Sequence, residues 1–353
     1  QGASALGAAR GAEHVAVEFY TVMVHCAIRT GQFWLVGPIM DDMVAQRVRR
    51  PLAFYESAMK QLAGQKQYNL ALVVHDRLTA DGLSPSTVTC SCLIGFAAEV
   101  GQFDRAVRFF DHLCTIETPS IRACMMVLRI HSKLQDWPAS VATLREMRRR
   151  GGALDCLALN VVLATGVAMD YVEEAGELIT EVDGYAKPVS DVVSYNTLSK
   201  GYALRSNLDG VRETIHRMRQ RKLSPNAITY NTAMDAAVRS GRTDEAKAFL
   251  EQLREARLRP DKFTCSIFVK GLAKNPTAHH VQDALDLMNE VGAGCDTNLR
   301  STLYHSILEA AAGVSDSEED LATRAFAQMR RQSVAPSPAA HRLLVQRLST
   351  RET

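Results

Sequence analysis

The chain has 353 residues, 46% hydrophobic and only 6% aromatic, with 41 basic against 39 acidic side chains and a formal net charge of +2. That balance excludes a general polyanion binder with a broad basic surface, so any nucleic-acid contact must come from a local strip. No apolar run reaches the length of a membrane span. The chain opens on Gln1 rather than Met. A cleaved targeting peptide accounts for that, as do trimming or disorder of a preceding segment.

Residues 1–16 read as an N-terminal extension. From there the chain divides into units of about 35 residues: 17–51, 52–86, 87–120, 121–155, 156–191, 192–226, 227–261, 262–300 and 301–337, then a partial helix over 338–350. Two adjacent units fix the register. Val193-Ser194-Tyr195-Asn196-Thr197 opens one, which closes on Leu223-Ser224-Pro225-Asn226. Ile228-Thr229-Tyr230-Asn231-Thr232 opens the next, which closes on Leu258-Arg259-Pro260-Asp261. A period of this size signals stacked helical pairs rather than a domain around one core. Residues 17–155 hold four degenerate repeats and 156–300 the best-matching ones. Residues 301–353 hold a divergent last repeat and a capping helix.

Each unit reads as two helices. In residues 227–261 the first opens at Thr229-Tyr230-Asn231 and breaks at Ser240-Gly241-Arg242. Thr243-Asp244-Glu245 is expected to supply the N-cap and first-turn acids of the second. Ala246, Phe249, Leu250 and Leu253 then form one apolar face at helical spacing. Ala106, Ala175 and Ala246 share one slot of the second helix. Met43, Met147, Met218 and Met329 share its late apolar slot with Leu78, Leu113, Val182 and Leu253.

The eight cysteines read as packing residues in a reducing compartment. Cys90, Cys124 and Cys265 fall in the slot that holds Tyr20, Tyr55, Tyr195, Tyr230 and Tyr304 elsewhere, and no Cys-x-x-Cys pair suggests zinc. His279-His280 is expected in a solvated inter-helix loop. The acidic run 315–320 reads as a capped helix start. Basic clusters at 47–50, 148–150, 217–222, 254–259 and 330–331 close second helices, where cations complement the helix dipole. The alternative is a ridge that contacts phosphate. No catalytic constellation, phosphate loop, metal set, cofactor motif or small-molecule substrate site is found.

The run Val-Val-Ser-Tyr-Asn-Thr-Leu at 192–198, followed by Met218 and Leu223-Ser-Pro-Asn, resembles the pentatricopeptide repeat. So does Ile-Thr-Tyr-Asn-Thr at 228–232, with Gly241-Arg-Thr-Asp-Glu-Ala and Leu258-Arg-Pro-Asp. The period and the terminal Pro-Asp separate it from tetratricopeptide repeats. The resemblance implies an all-α, right-handed α-solenoid of about nine stacked helix–turn–helix repeats. It also implies single-stranded RNA recognition in mitochondria or plastids, one base per repeat.

In such a unit, a polar side chain five residues in and another at the unit's end can meet one base edge. An apolar side chain three residues before the first can pack on the base plane. Those residues are Asn160, Asp191 and Leu157; Asn196, Asn226 and Val193; Asn231, Asp261 and Ile228; and Ser266, Asp296 and Phe263. The family's pairing rule reads them as 5′-U-Y-U-G-3′. The other units fit it poorly: Thr21 with Glu18, Glu56 with Ser86, Met125 with Arg122, and His305 with Ser337 depart from it, and Ser91 with Ser120 and Val88 is ambiguous. Helix capping by Asp261 and Asn226 is the competing reading of those residues.

The expected function is therefore non-catalytic binding of single-stranded RNA on the concave face, in a mitochondrion or, alternatively, a plastid. The competing expectation is a structural subunit of a large organellar assembly such as a ribosome, holding ribosomal RNA or protein subunits by shape and charge.

Overall fold

Six units end on the N-cap of the next unit's first helix, and the unit expected to run to Arg300 ends instead at Asp296, the N-cap of the helix Thr297–Gly313. Ser86, Ser120, Asp155, Asp191, Asn226, Asp261 and Asp296 are all N-caps. The side chain of each accepts a hydrogen bond from the backbone N–H three residues on. A cap of this kind satisfies one of the orphan donors of a helix start and contributes about 1 kcal/mol. The capping reading of Asn226 and Asp261 is thus correct as far as it goes.

The computed structural model describes residues 2–150, 154–274, 276–314 and 321–336, with 338, 341, 342 and 345, and side chains from His14 onward. The described residues are helical with no strand, and they form two units. The first, Gln1–Leu154, holds four helical pairs. These are α1 (Gly2–Arg29) with α2 (Val36–Ala45), α3 (Leu52–Gly64) with α4 (Tyr68–Ala80), α5 (Thr87–Glu99) with α6 (Phe103–Ile116), and α7 (Ile121–Lys133) with α8 (Trp137–Arg149). The second, Asp155–Thr353, holds five. They are α9 (Cys156–Ala168) with α10 (Val172–Asp183), α11 (Val192–Leu204) with α12 (Leu208–Gln220), α13 (Ala227–Arg239) with α14 (Thr243–Glu255), α15 (Lys262–Leu272) with α16 (Ala278–Val291), and α17 (Thr297–Gly313) with α18 (Leu321–Arg331). In the second unit α9, α11, α13, α15 and α17 pack side by side in succession, the stacking of a solenoid. The acidic run 315–320 and nearly all of the expected capping helix lie outside the described residues.

The turn inside each of the first seven pairs is made by one left-handed residue. Gly241 has φ +77°. Its N–H bonds to Val238 O, and Arg242 N–H reaches back to Ala237 O, which is the Schellman ending of a helix. Arg242, not Thr243, is therefore the N-cap of α14. Thr243 is a buried first-turn residue whose hydroxyl has no partner among the described residues.

Second-helix slots behave as their repetition suggests. Ala106, Ala175 and Ala246 are fully buried, as are Met43, Met218, Leu78, Leu113, Val182 and Leu253. The tyrosine slot is buried too, and Cys90, Cys124 and Cys265 fill it where tyrosine is absent. Burial pushes the Cys124 thiol up to about 11 and the Cys265 thiol up to about 12, so both stay protonated packing groups. The cysteine expectation fails at Cys26, Cys92 and Cys156, which are exposed. His279-His280 is also corrected. The pair lies in the first turn of α16, and buried His280 sits 3.0 Å from Asp244 Oδ1. Among the described residues no helix is long and apolar enough to cross a membrane, and no cluster of three or more ligating side chains could hold a metal.

One glycine is dictated by packing. A Cβ on Gly210 would lie 2.6 Å from Cδ1 and 2.7 Å from Cγ of Tyr202. Gly210→Ala is expected to cost about 1–2 kcal/mol, because overpacking outweighs the better helix propensity of alanine. Urea unfolding would show a lower midpoint, and an unchanged midpoint would contradict the close approach.

The first unit also carries a pH dependence. Burial pulls the imidazoles of His75 and His131 below their ordinary pKa, against the opposing pull of Asp76 and Asp136 respectively. The folded chain thus keeps them neutral where the unfolded chain protonates. Their stabilising contribution is complete above about pH 6.5 and is lost as the pH falls through the lowered folded pKa. Melting temperature should fall between pH 7.5 and pH 5.5, and His131→Gln should flatten that fall.

Candidate nucleic-acid interface

Three junctions in the second unit repeat one arrangement of an Asn, an N-cap and a hydroxyl. Asn160 Nδ2 donates to Asp191 Oδ1 at 3.2 Å, and Ser194 Oγ donates to Asn160 Oδ1 at 2.6 Å. Asn196 Nδ2 donates to Asn226 Oδ1 at 3.2 Å, and Thr229 Oγ1 donates to Asn196 Oδ1 at 2.7 Å. Asn231 Nδ2 donates to Asp261 Oδ1 at 3.1 Å, and Thr264 Oγ1 donates to Asn231 Oδ1 at 2.8 Å. Each hydroxyl also accepts the N–H of the cap, completing a capping box. The paired Asn and cap of the sequence analysis therefore do meet, at all three junctions.

The hydroxyl was missed. Ser194, Thr229 and Thr264 recur in the repeated motif, but their role needs the neighbouring repeat's Asn in place. That partnership fixes which way each amide points, since Oδ1 must face a donor. Asn196 and Asn231 are 9% exposed, and each amide keeps one Nδ2 hydrogen and one Oδ1 lone pair that no described residue takes.

The caps differ in what they leave free. Asn231 Nδ2, Phe263 N, Thr264 N and Thr264 Oγ1 all bond to Asp261 Oδ1, and Oδ2 makes no bond among the described residues. Asn226 likewise uses Oδ1 alone, which leaves Nδ2. One junction thus presents a free carboxylate oxygen, an acceptor, and the other a free amide nitrogen, a donor. At Asp191, burial pushes the carboxyl up, but bonds from Ser194, Asn160 and Cys156 outweigh it and hold the pKa below the ordinary range. The group stays ionised.

The apolar residues flank these edges. Leu157, Val193, Ile228 and Phe263, each the second residue of its helix, are 52%, 55%, 62% and 61% exposed. At the third junction an open groove is lined by Ile228 and Phe263, by Asn231 and Asp261, and by Lys200 and Lys270. Lys270 pairs with Asp235 at 3.1 Å; Lys200 is exposed and unpaired among the described residues.

The fourth pair is not joined. Ser266 Oγ donates to Lys262 O in its own helix, and Asp296 caps α17 through Leu299 N–H. In the first unit, Glu56 occupies the Asn position and Oε1 accepts from Ser86 N–H and Thr89 Oγ1. Burial pushes its carboxyl up, but those bonds hold its pKa below the ordinary value. Met125 is buried, Thr21 bonds to Val17 O, His305 pairs with Glu309, and Ser337 lies outside the described residues.

Many of the basic side chains that close second helices are engaged between repeats. Arg150 bonds to Cys114 O, Arg217 to Thr180, Arg219 to Gln252, Arg221 to Asp183 and Arg254 to Glu290. Arg149 and Arg150 both pair with Glu146, whose carboxyl they hold down at about 2. Cations used this way are poorly placed to form a phosphate ridge.

Residues 225–274 match the PPR repeat family, and residues 189–240 match the pentatricopeptide repeat domain. No curated protein matches the chain by sequence. Among solved structures, the pentatricopeptide repeat protein PPR10 from maize is 16% identical with a TM-score of 0.44, over 94% of this chain and 56% of that one. PPR10 in complex with an 18-nt psaJ RNA element is 20% identical with a TM-score of 0.43, over 97% and 52%. Nuclear proteinaceous RNase P 2 from A. thaliana is 12% identical with a TM-score of 0.40, over 64% and 43%. The chain spans about half the length of the PPR10 chains. The family matches fall on the residues that build the second and third junctions, so residues 189–274 carry pentatricopeptide repeats.

Proposed function

We propose that the second unit binds single-stranded RNA, one base per junction, and that the chain acts by binding rather than by catalysis. The observation that carries this is the groove at Asn231 and Asp261. It offers two exposed apolar platforms, Ile228 and Phe263, around an otherwise buried polar pair, with an unpaired lysine beside it. A flat base fits between the platforms, its edge meets the polar pair, and its phosphate meets Lys200.

Base choice follows from the free atoms. The unused Asp261 Oδ2 accepts from uracil N3–H. The unused Asn226 Nδ2 donates to a pyrimidine acceptor, cytosine N3 best. Asn160 with Asp191 repeats the uracil arrangement, giving 5′-U-Y-U-3′. Ser266 and Asp296, beside Phe263, would add guanine. Pentatricopeptide repeat proteins are generally organellar, so the reading includes a mitochondrion, or alternatively a plastid.

A second reading draws on the first unit. Glu56 and Met125 stand where a base-reading Asn would be, which suits a subunit that holds protein or ribosomal RNA in a large organellar assembly. Selection from a randomised single-stranded RNA pool at moderate salt separates the two, because phosphate contacts alone inflate affinity at low salt. Enrichment of U-Y-U is the expected result. Salt-sensitive binding without sequence preference would leave the assembly reading.

A further inference from the structure

α1 has two apolar faces, and the fold buries only one. Tyr20, Val24, Ala27 and Ile28 recur at helical spacing and are buried. On the opposite side Val15, Phe19 and Val22 are 64%, 61% and 66% exposed, and Cys26 is exposed as well. Steps of four, three and four residues make these the a and d positions of a heptad. Ala5, Ala8 and Ala12 continue that register in sequence.

The bare face is the one that later repeats use for stacking. Counted from Val17, Phe19 is the third residue of its unit and Cys26 the tenth. In the second unit the third-position Ser194 bonds to Asn160 of the preceding pair, and a Cβ on the tenth-position Gly201 would lie 3.0 Å from Val172 of that pair. Phe54 and Ala123, the third residues of α3 and α7, are buried. No pair precedes α1 among the described residues, so here the stripe meets water. A contiguous apolar stripe is unfavourable to expose and marks an interaction surface.

Length decides what covers it. α1 has 28 residues, against 13 in each of α3, α5 and α7. At about 1.5 Å per residue α1 spans roughly 42 Å, and the first helix of an ordinary repeat roughly 20 Å. A further repeat stacked on α1 would leave about half of the heptad seam uncovered, whereas a second α1 covers it from end to end. Charge decides the orientation. Glu18 and Arg29 lie along the seam and are both exposed. A parallel pair sets Arg29 against its own copy. An antiparallel pair separates the two arginines and carries each toward the half of the other helix that holds Glu18.

We propose that two copies of the chain associate through α1, which pairs antiparallel with α1 of the second copy in a coiled-coil seam built on Val15, Phe19, Val22 and Cys26. The contact is isologous, so it closes as a dimer and does not propagate. It uses none of the residues assigned to RNA and stands apart from that reading.

The test is sedimentation velocity of the full chain over a range of concentrations, with Val22→Glu and Val22→Leu. Val22 is exposed, and circular dichroism would verify that both variants fold. The expected result is a concentration-dependent dimer in the wild type and in Val22→Leu. Val22→Glu should raise the dissociation constant by about a hundredfold or more, because it places a carboxylate in an apolar seam. A wild type that stays monomeric throughout would overturn the proposal, as would a dimer that Val22→Glu leaves intact. Orientation is read separately, because the antiparallel register sets residue 15 opposite residue 26. With oxidised glutathione present, Val15→Cys should form a disulfide with Cys26 of the second copy, located by peptide mapping. No such link, or a link between two Cys26 thiols, would overturn the antiparallel arrangement.

Discussion

Replacing Asn196 and Asn231 together by alanine is expected to lower affinity for a U-Y-U RNA by about 30- to 150-fold, two base contacts at roughly 1–1.5 kcal/mol each. It should also erase the preference for that sequence. The same change removes an acceptor from two buried hydroxyls, Thr229 and Thr264. Both keep a second acceptor in their cap at 3.1 Å, so the stability cost should stay near about 1–2 kcal/mol in all. Thr264→Val separates the two effects. It removes the hydroxyl bond between repeats, while Asp261 still accepts from Asn231 Nδ2 and keeps the amide oriented, so it should lower the melting temperature without altering base preference. Fluorescence anisotropy with labelled RNA and a thermal melt read both quantities. Unchanged binding in the double alanine variant, together with loss of binding on reversing the charges of Arg148, Arg149 and Arg150, would place the interaction on phosphate and end the base-reading account.

Asp261→Asn should turn the third junction from uracil toward cytosine. The substitution exchanges the free carboxylate oxygen for a free amide nitrogen, an acceptor for a donor, and Asn caps a helix about as well as Asp. The fold should be untouched and the relative affinity for U-Y-C over U-Y-U should rise on the order of tenfold, one exchanged hydrogen bond. Asn226→Asp is the reciprocal experiment and should move the middle base toward uracil. If both variants kept the wild-type preference, the caps would be structural only.

The capping residues show why part of the site could be read from sequence. Asp191, Asn226 and Asp261 recur at one spacing because each starts a helix, and a cap requirement is local. The Asn positions recur for a different reason. Asn160, Asn196 and Asn231 bond to residues roughly 30 positions away in the next repeat, so the motif shows their regularity but not what they touch. His280 went the other way. Read in isolation it sits beside Asn275 and Pro276 and resembles a loop residue, yet it is drawn into the first turn of α16 to meet Asp244. Thr243 similarly has the composition of a cap, but the Schellman turn at Gly241 starts the helix one residue earlier.

By itself the sequence determined the helical pairs, their number to a good approximation, the buried slots and three of the four second-unit polar pairs it named. Those features follow from period, capping and apolar spacing, which are properties of a single repeat and its copies. Tertiary structure alone decided which atom of each amide and carboxylate stays open and that many terminal arginines are engaged between repeats. Each depends on a partner one repeat away, and a hydrogen bond or ion pair across that junction exists only once the helices are stacked.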